Sequence, residues 1–194
     1  MNAAPRWDTP DREQYYRYYH RHAARLSPNT EWLCRMLASW STGAGVLPDA
    51  LGLEPSDFSA LQRGFFPTLE IPASAPSGKR ADFSRMLERD DLIRFCLGHA
   101  AHPQRDETGW IAHLLVAGCL GDDHLWQDLG LWSRQDLSGL IAYNFPALAA
   151  ANHQDMKWKK FMYKQLCEGE GIYVCRAPSC EVCVDYPRCF GPEE

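Results

Sequence analysis

No stretch of this 194-residue chain approaches the roughly 18 to 20 unbroken apolar residues of a membrane span. Its opening, MNAAPRWDTPDREQYYRYYHRH, lacks the apolar segment of a secretory leader. Both absences lead to the expectation of a soluble, cytoplasmic protein with no membrane partner. Long basic tracts are missing too: the 20 Lys and Arg residues are scattered through a chain of net charge -5, which argues against nucleic acid as a partner. There is no Ser-His-Asp order, P-loop or Gly-rich dinucleotide fingerprint, and no internal repeat or low-complexity segment. Val, Ile and Thr are sparse, whereas Leu, Ala, Arg, Gln and Met are common and apolar residues recur at three and four. The expected fold is therefore all-α, one compact helical domain.

What is present in excess is cysteine at one end. Of the eight cysteines, Cys175, Cys180, Cys183 and Cys189 fall within fifteen residues in the pattern C-x4-C-x2-C-x5-C. A chain of this length buries a core without covalent staples. Clustered cysteines in a reducing compartment are more often metal ligands or redox groups than disulfides. Tetrahedral zinc draws four sulfurs to within roughly 3.8 Å of one another, commonly through two C-x2-C knuckles. A cubane iron-sulfur cluster spreads its ligands over a larger body. One knuckle with two wider arms favours the cluster. A four-cysteine zinc module remains the alternative, and a thiol redox enzyme using Cys180 and Cys183 ranks below it, because no βαβ pattern frames the pair.

The remaining organisation is read as a variable, flexible N-terminal extension over 1–30, a helical body over 31–171 and an irregular cysteine-rich metal-binding tail over 172–194. Within the body, NTEWLCRMLASW and PSDFSALQRGFF are two short helices opened by Asn29/Thr30 and Ser56. TLEIPASAPSGKR is a connecting loop. ADFSRMLERDDLIRFCLGHA is a longer helix, and ETGWIAHLLVAGCLG, apolar on nearly every side, is the central core helix. A short helical turn in DDHLWQDLGL, a helix capped by Ser133 and Asp136, and a small then a long helix after Pro146 complete it.

Four further residues are candidates for the chemistry. His124 and Asp128 stand at i and i+4, a spacing that offers a nitrogen and an oxygen donor to a metal or fixes an imidazole tautomer; a helix cap with an ordinary surface pair is the alternative. In the last helix Trp158, Phe161, Met162 and Leu166 share one side and Lys157, Lys160 and Lys164 the other. Cys167 falls beside the lysines, where ammonium groups favour a thiolate, and such a face attracts oxyanions or an acidic partner unless it is simply solvated. His113 lies in the core helix and reads first as a hydrogen-bonded core residue, second as a ligand; it does not share a face with Cys119. Cys34 and Cys96 read as small core residues.

The segments GDDHLWQDLGL, DMKWKKFMYKQLCE and CRAPSCEVCVDYPRCFG, in that order, resemble the NifQ family of nitrogen-fixation proteins, with similarity running from about Glu31 to the end. The resemblance implies a carrier and not an enzyme. Its cofactor would be an iron-sulfur cluster of 4Fe-4S or 3Fe-4S type that takes up molybdenum as a Mo-Fe-S cluster. Molybdate would be its metal source, and the recipients would be the nitrogenase cofactor-assembly proteins, namely the nitrogenase iron protein and the cofactor scaffold complex. By direct match Cys175, Cys180, Cys183 and Cys189 inherit the cluster-ligand role, while roles for His113, His124, Asp128 and Cys167 rest on the residue chemistry alone.

Because the clustered thiols sit in a terminal tail, metal should order that tail and not the body. Changing all four tail cysteines to Ser is expected to leave a strongly helical far-UV circular dichroism spectrum. A random-coil spectrum would overturn this.

Overall fold

The computed structural model describes residues 2–3, 11–24, 27–76, 78 and 82–169. The tail over 172–194, with Cys175, Cys180, Cys183 and Cys189, lies outside the described residues. The helices are α1 (Arg12–His22), α2 (Pro28–Ser41), α3 (Pro55–Phe65), α4 (Arg89–Gly98), α5 (Asp106–Gly118), α6 (Leu125–Asp128), α7 (Arg134–Asn144), α8 (Pro146–Ala151) and α9 (Trp158–Gly169). Strand pairing among the described residues is confined to a two-residue parallel contact, Asn2 beside Leu69 and Ala3 beside Glu70. The all-α expectation holds for this mostly helical body.

Local chemistry sets many of the boundaries. Pro28, Pro55 and Pro146 open α2, α3 and α8, where a missing N–H costs nothing. Ser133 Oγ accepts the N–H of Asp136 at 3.1 Å and caps α7, as its spacing predicts. The helix expected from Ala81 onward begins only at Arg89. Upstream, the Asp82 carboxylate accepts the N–H of Ser84 at 3.1 Å and diverts the chain into a 3-10 turn, Phe83–Arg85, the competition that short polar side chains set up against a helix.

The expected extension over 1–30 contains α1, which packs along α2. Tyr15 and Tyr19 are buried, the Tyr19 hydroxyl pairs with Ser41 Oγ at 2.8 Å, and Tyr16 donates to Glu31 at 2.7 Å. Arg35 joins the same Glu31 at 2.7 Å and also pairs with Asp136 on α7. Trp132 is covered by Tyr16 and by the guanidinium of Arg12.

At the centre stands α5. Trp110, Ile111, Ala112, Leu114, Leu115, Val116 and Ala117 are all buried, so the helix has no wet stripe and needs neighbours on every side; α3, α4 and α6 supply them. Its first turn carries Glu107 into the interior, where the carboxylate accepts from Ser27 Oγ at 3.0 Å and from Asn29 Nδ2 at 2.6 Å. Asn29 and Asn144 exchange amide hydrogen bonds at 2.9 and 2.7 Å. Three helix ends are tied by that network, each buried polar atom being costly if left unmade.

Two of the left-handed turns fix neighbouring elements. Ala50, Leu51 and Gly52 have φ of 52°, 57° and 83°, roughly 1–2 kcal/mol of strain per non-glycine residue. The turn is held by Ala50 N–H on the Ala73 carbonyl at 2.6 Å and by Asp49 accepting from Ala75 N–H at 2.7 Å, and it inserts Leu51 fully into the core. Gly130, at φ +74°, follows α6; a Cβ there would lie 2.7 Å from Ser39 Cβ. Its carbonyl accepts from Ser39 Oγ at 2.6 Å, clamping α6 to α2. Gly130→Ala combines a left-handed residue with overpacking and is expected to cost about 2 kcal/mol or more, read from urea unfolding. An unchanged midpoint would refute the clamp.

Candidate functional site

The α5–α6 turn and α9 hold the candidate residues that the described structure brings together. His124 is the N-cap of α6, with extended backbone (φ -62°, ψ 141°), and its N–H donates to Gln127 Oε1 at 3.2 Å. Half-buried, the imidazole thus belongs to a capping residue and not to the helix. Four residues on, Asp128 is buried. Its carboxylate pairs with Lys159 of α9, and Lys159 also donates to the Gly121 carbonyl at 2.7 Å. Gly121 presses directly on this carboxylate, since a Cβ would lie 2.3 Å from Asp128 Oδ1. Val46 N–H donates to the Asp128 carbonyl at 2.8 Å.

The His124–Asp128 pair expected as a joint nitrogen and oxygen donor set is therefore divided in the fold. Its carboxylate serves an internal ammonium, while the imidazole sits at the mouth of the turn. Burial pushes the Asp128 carboxyl above the usual carboxylate range, and the Lys159 ammonium pulls the other way. Beside the turn lies an open cleft of about 430 Å³, lined among others by Arg12, Asp123, Trp126 and Gln127.

Lys159 is the residue that sequence reasoning missed. On a helical wheel it projects only about 20° from Leu166, at the rim of the apolar side, and a lysine there requires an anionic partner. That was the available signal. The lysine side expected to be solvated is also changed in part: Lys160 is buried, and Lys157 and Lys164 are half-buried. Trp158, Phe161 and Met162 are buried as the wheel predicts.

His113 lies on α5, half-buried, and its Nδ1 is enclosed with no hydrogen-bond partner among the described residues. Burial holds its pKa below the ordinary value, reinforced by the Arg89 guanidinium and opposed by Asp57, Asp90 and Glu54. Cys34, Cys96 and Cys119 are buried free thiols. Burial pushes Cys34 and Cys119 up to about 12 and Cys96 upward as well, so none is a ready thiolate. Cys167 is in the last turns of α9. Among the described residues no group of three His, Cys, Asp or Glu side chains forms a metal site, and no helix is long and apolar enough to cross a membrane.

A family model of NifQ matches residues 32–191, one residue from the start expected at Glu31 and spanning all four tail cysteines. The chain is 43% identical over 174 residues to Protein NifQ of Azotobacter vinelandii, covering 85% of this chain and 89% of that protein. It is 38% identical over 162 residues to Protein NifQ of Rhodobacter capsulatus, covering 83% and 87%. To Protein NifQ of Klebsiella pneumoniae it is 34% identical over 170 residues, covering 84% and 99%. No solved structure matches the chain.

The enclosed His113 makes a prediction about pH. Its folded-state pKa lies below the ordinary 6.5, so the unfolded chain binds this proton more readily and stability falls as pH drops through 6.5 toward the folded value. His113→Leu is expected to make the stability-against-pH curve shallower in that window, measured by urea unfolding at a series of pH values. A slope equal to that of the parent would exclude His113 as its source.

Proposed function

The chain belongs to the NifQ family, and from that premise we propose that it acts in nitrogen fixation as a carrier, loading molybdenum into an iron-sulfur cluster and delivering it for synthesis of the iron-molybdenum cofactor. The observation that carries this reading is the C-x4-C-x2-C-x5-C tail lying wholly inside the family match. Its recipients are the nitrogenase iron protein and the cofactor scaffold complex, it works in the cytoplasm, and it turns over no substrate of its own.

The Mo-Fe-S cluster is the cargo. Cys175, Cys180, Cys183 and Cys189 bind it as thiolates, each giving up a proton to do so. A cubane of three irons and one molybdenum needs three thiolates for iron, which leaves one corner exchangeable. Either a tail cysteine releases that corner, or His124 caps it through a neutral imidazole until a recipient ligand takes its place. Asp128 itself is engaged by Lys159.

Anaerobically isolated protein is expected to be brown, with iron and acid-labile sulfide in near-equal amounts. Stoichiometric zinc without sulfide would overturn the reading in favour of a four-cysteine zinc interaction module. After loading with molybdate under one set of reducing conditions, His124→Ala should lower molybdenum while iron and sulfide stay near parental levels. Cys183→Ser should lower all three. If His124→Ala keeps its full molybdenum load, the capping role fails and delivery rests on the tail cysteines alone.

A further inference from the structure

Two of the segments that carry the family resemblance, GDDHLWQDLGL and DMKWKKFMYKQLCE, meet in the fold at one buried contact. Lys159 reaches from the first turn of α9 to the Asp128 carboxylate and to the Gly121 carbonyl at 2.7 Å. The side chains of Asp128 and Lys159 are 2% and 13% exposed, so both charges are nearly out of water. The acceptor is fixed from two sides: Gly121 packs against the carboxylate, and Val46 N–H holds the Asp128 carbonyl at 2.8 Å.

Such a pair does little for net stability beside an apolar pair of the same shape, and its best-attested use is to specify register. Register is what α9 otherwise lacks. An apolar side made of Trp158, Phe161 and Met162 tolerates rotation and sliding against its neighbours, whereas an ammonium that loses Asp128 and Gly121 O has nowhere equivalent to go. The loop before α9 is fixed in the same way: Asn152 Nδ2 donates to the Met156 carbonyl and Met156 N–H donates to Asn152 Oδ1, both at 2.9 Å.

We propose that Asp128 and Lys159 are positioning residues for the cysteine tail: their buried pair pins the start of α9 to the α5–α6 turn, and so fixes the helix from which the metal-binding segment leaves the body. This rests on the reading that the tail cysteines hold metal. Every positional constraint that the described body imposes on Cys175 through the chain passes along α9, and the pair sets both the rotation and the height of that helix.

The test uses the full chain as isolated, with Asp128→Asn, Lys159→Met and Lys159→Arg beside the parent. In metal-free protein, Asp128→Asn and Lys159→Met should keep their helical circular dichroism while the amides of α9 exchange faster and those of α5 do not. In metal-loaded protein, the two variants should lose metal to a chelator several-fold faster than the parent. Lys159→Arg, which keeps charge and donors, should restore both behaviours. A merely structural pair would lower the melting temperature and leave the rate of metal loss unchanged; that result, in a folded variant, overturns the proposal. If a single variant unfolds, the double Asp128→Asn/Lys159→Met variant removes both charges together and is judged by the same rate. A parent that carries zinc defeats the carrier reading but not the pair, which is then judged on zinc loss. A parent that carries no metal defeats both.

Discussion

A helix with no wet side has to be enclosed, and that demand of α5 organises the rest of the molecule. Helices packed around it bring their own polar ends toward the interior, so each such group must arrive with a partner. Glu107 meets Asn29, which also meets Asn144, Arg35 meets Asp136, and Lys159 meets Asp128. These contacts join helices far apart in sequence, and the helix-to-helix arrangement is specified as much by them as by apolar burial.

How much of this is legible in the chain depends on the range of the interaction involved. The apolar character of α5, the Ser133 cap and the small helix after Pro146 are written within a few residues of one another, and the structure bears them out, whereas α2 and α3 open at Pro28 and Pro55 and not at the cap signals of Asn29/Thr30 and Ser56. Helix α1 escapes because it is an aromatic and arginine-rich segment of low hydropathy, buried through Tyr15 and Tyr19; rings with polar tips bury without an apolar run. The late start of α4 turns on Asp82 bonding its own neighbourhood, a competition that propensity alone does not decide. The Lys159–Asp128 pair spans 31 residues, and a wheel of α9 indicates at most that Lys159 needs an anion, not which one. For the candidate site, the residue types of the tail are plain in sequence, while the separation of His124 from Asp128 is visible only once α6 has its cap.

The fold thereby separates two tasks. Rigid helices joined by buried polar contacts present a turn bearing His124, and the four-cysteine pattern lies in the segment that follows α9 in sequence. Both lie inside a single family match, residues 32–191, and α9 is the physical link between them.

The burial of Cys34, Cys96 and Cys119 acquires a meaning in that light. A soft metal arriving at a chain with eight thiols faces many alternative ligand sets, and a wrong set that binds tightly is a kinetic trap. Thiols raised to about 12 by enclosure, as at Cys34 and Cys119, stay protonated and sterically shut at neutral pH, so they do not enter that competition. If the tail cysteines hold the metal as proposed, packing in the core acts as a selectivity filter for its ligand set. It does so by silencing the sulfurs that would otherwise scramble the ligand set, with no contact to the metal at all.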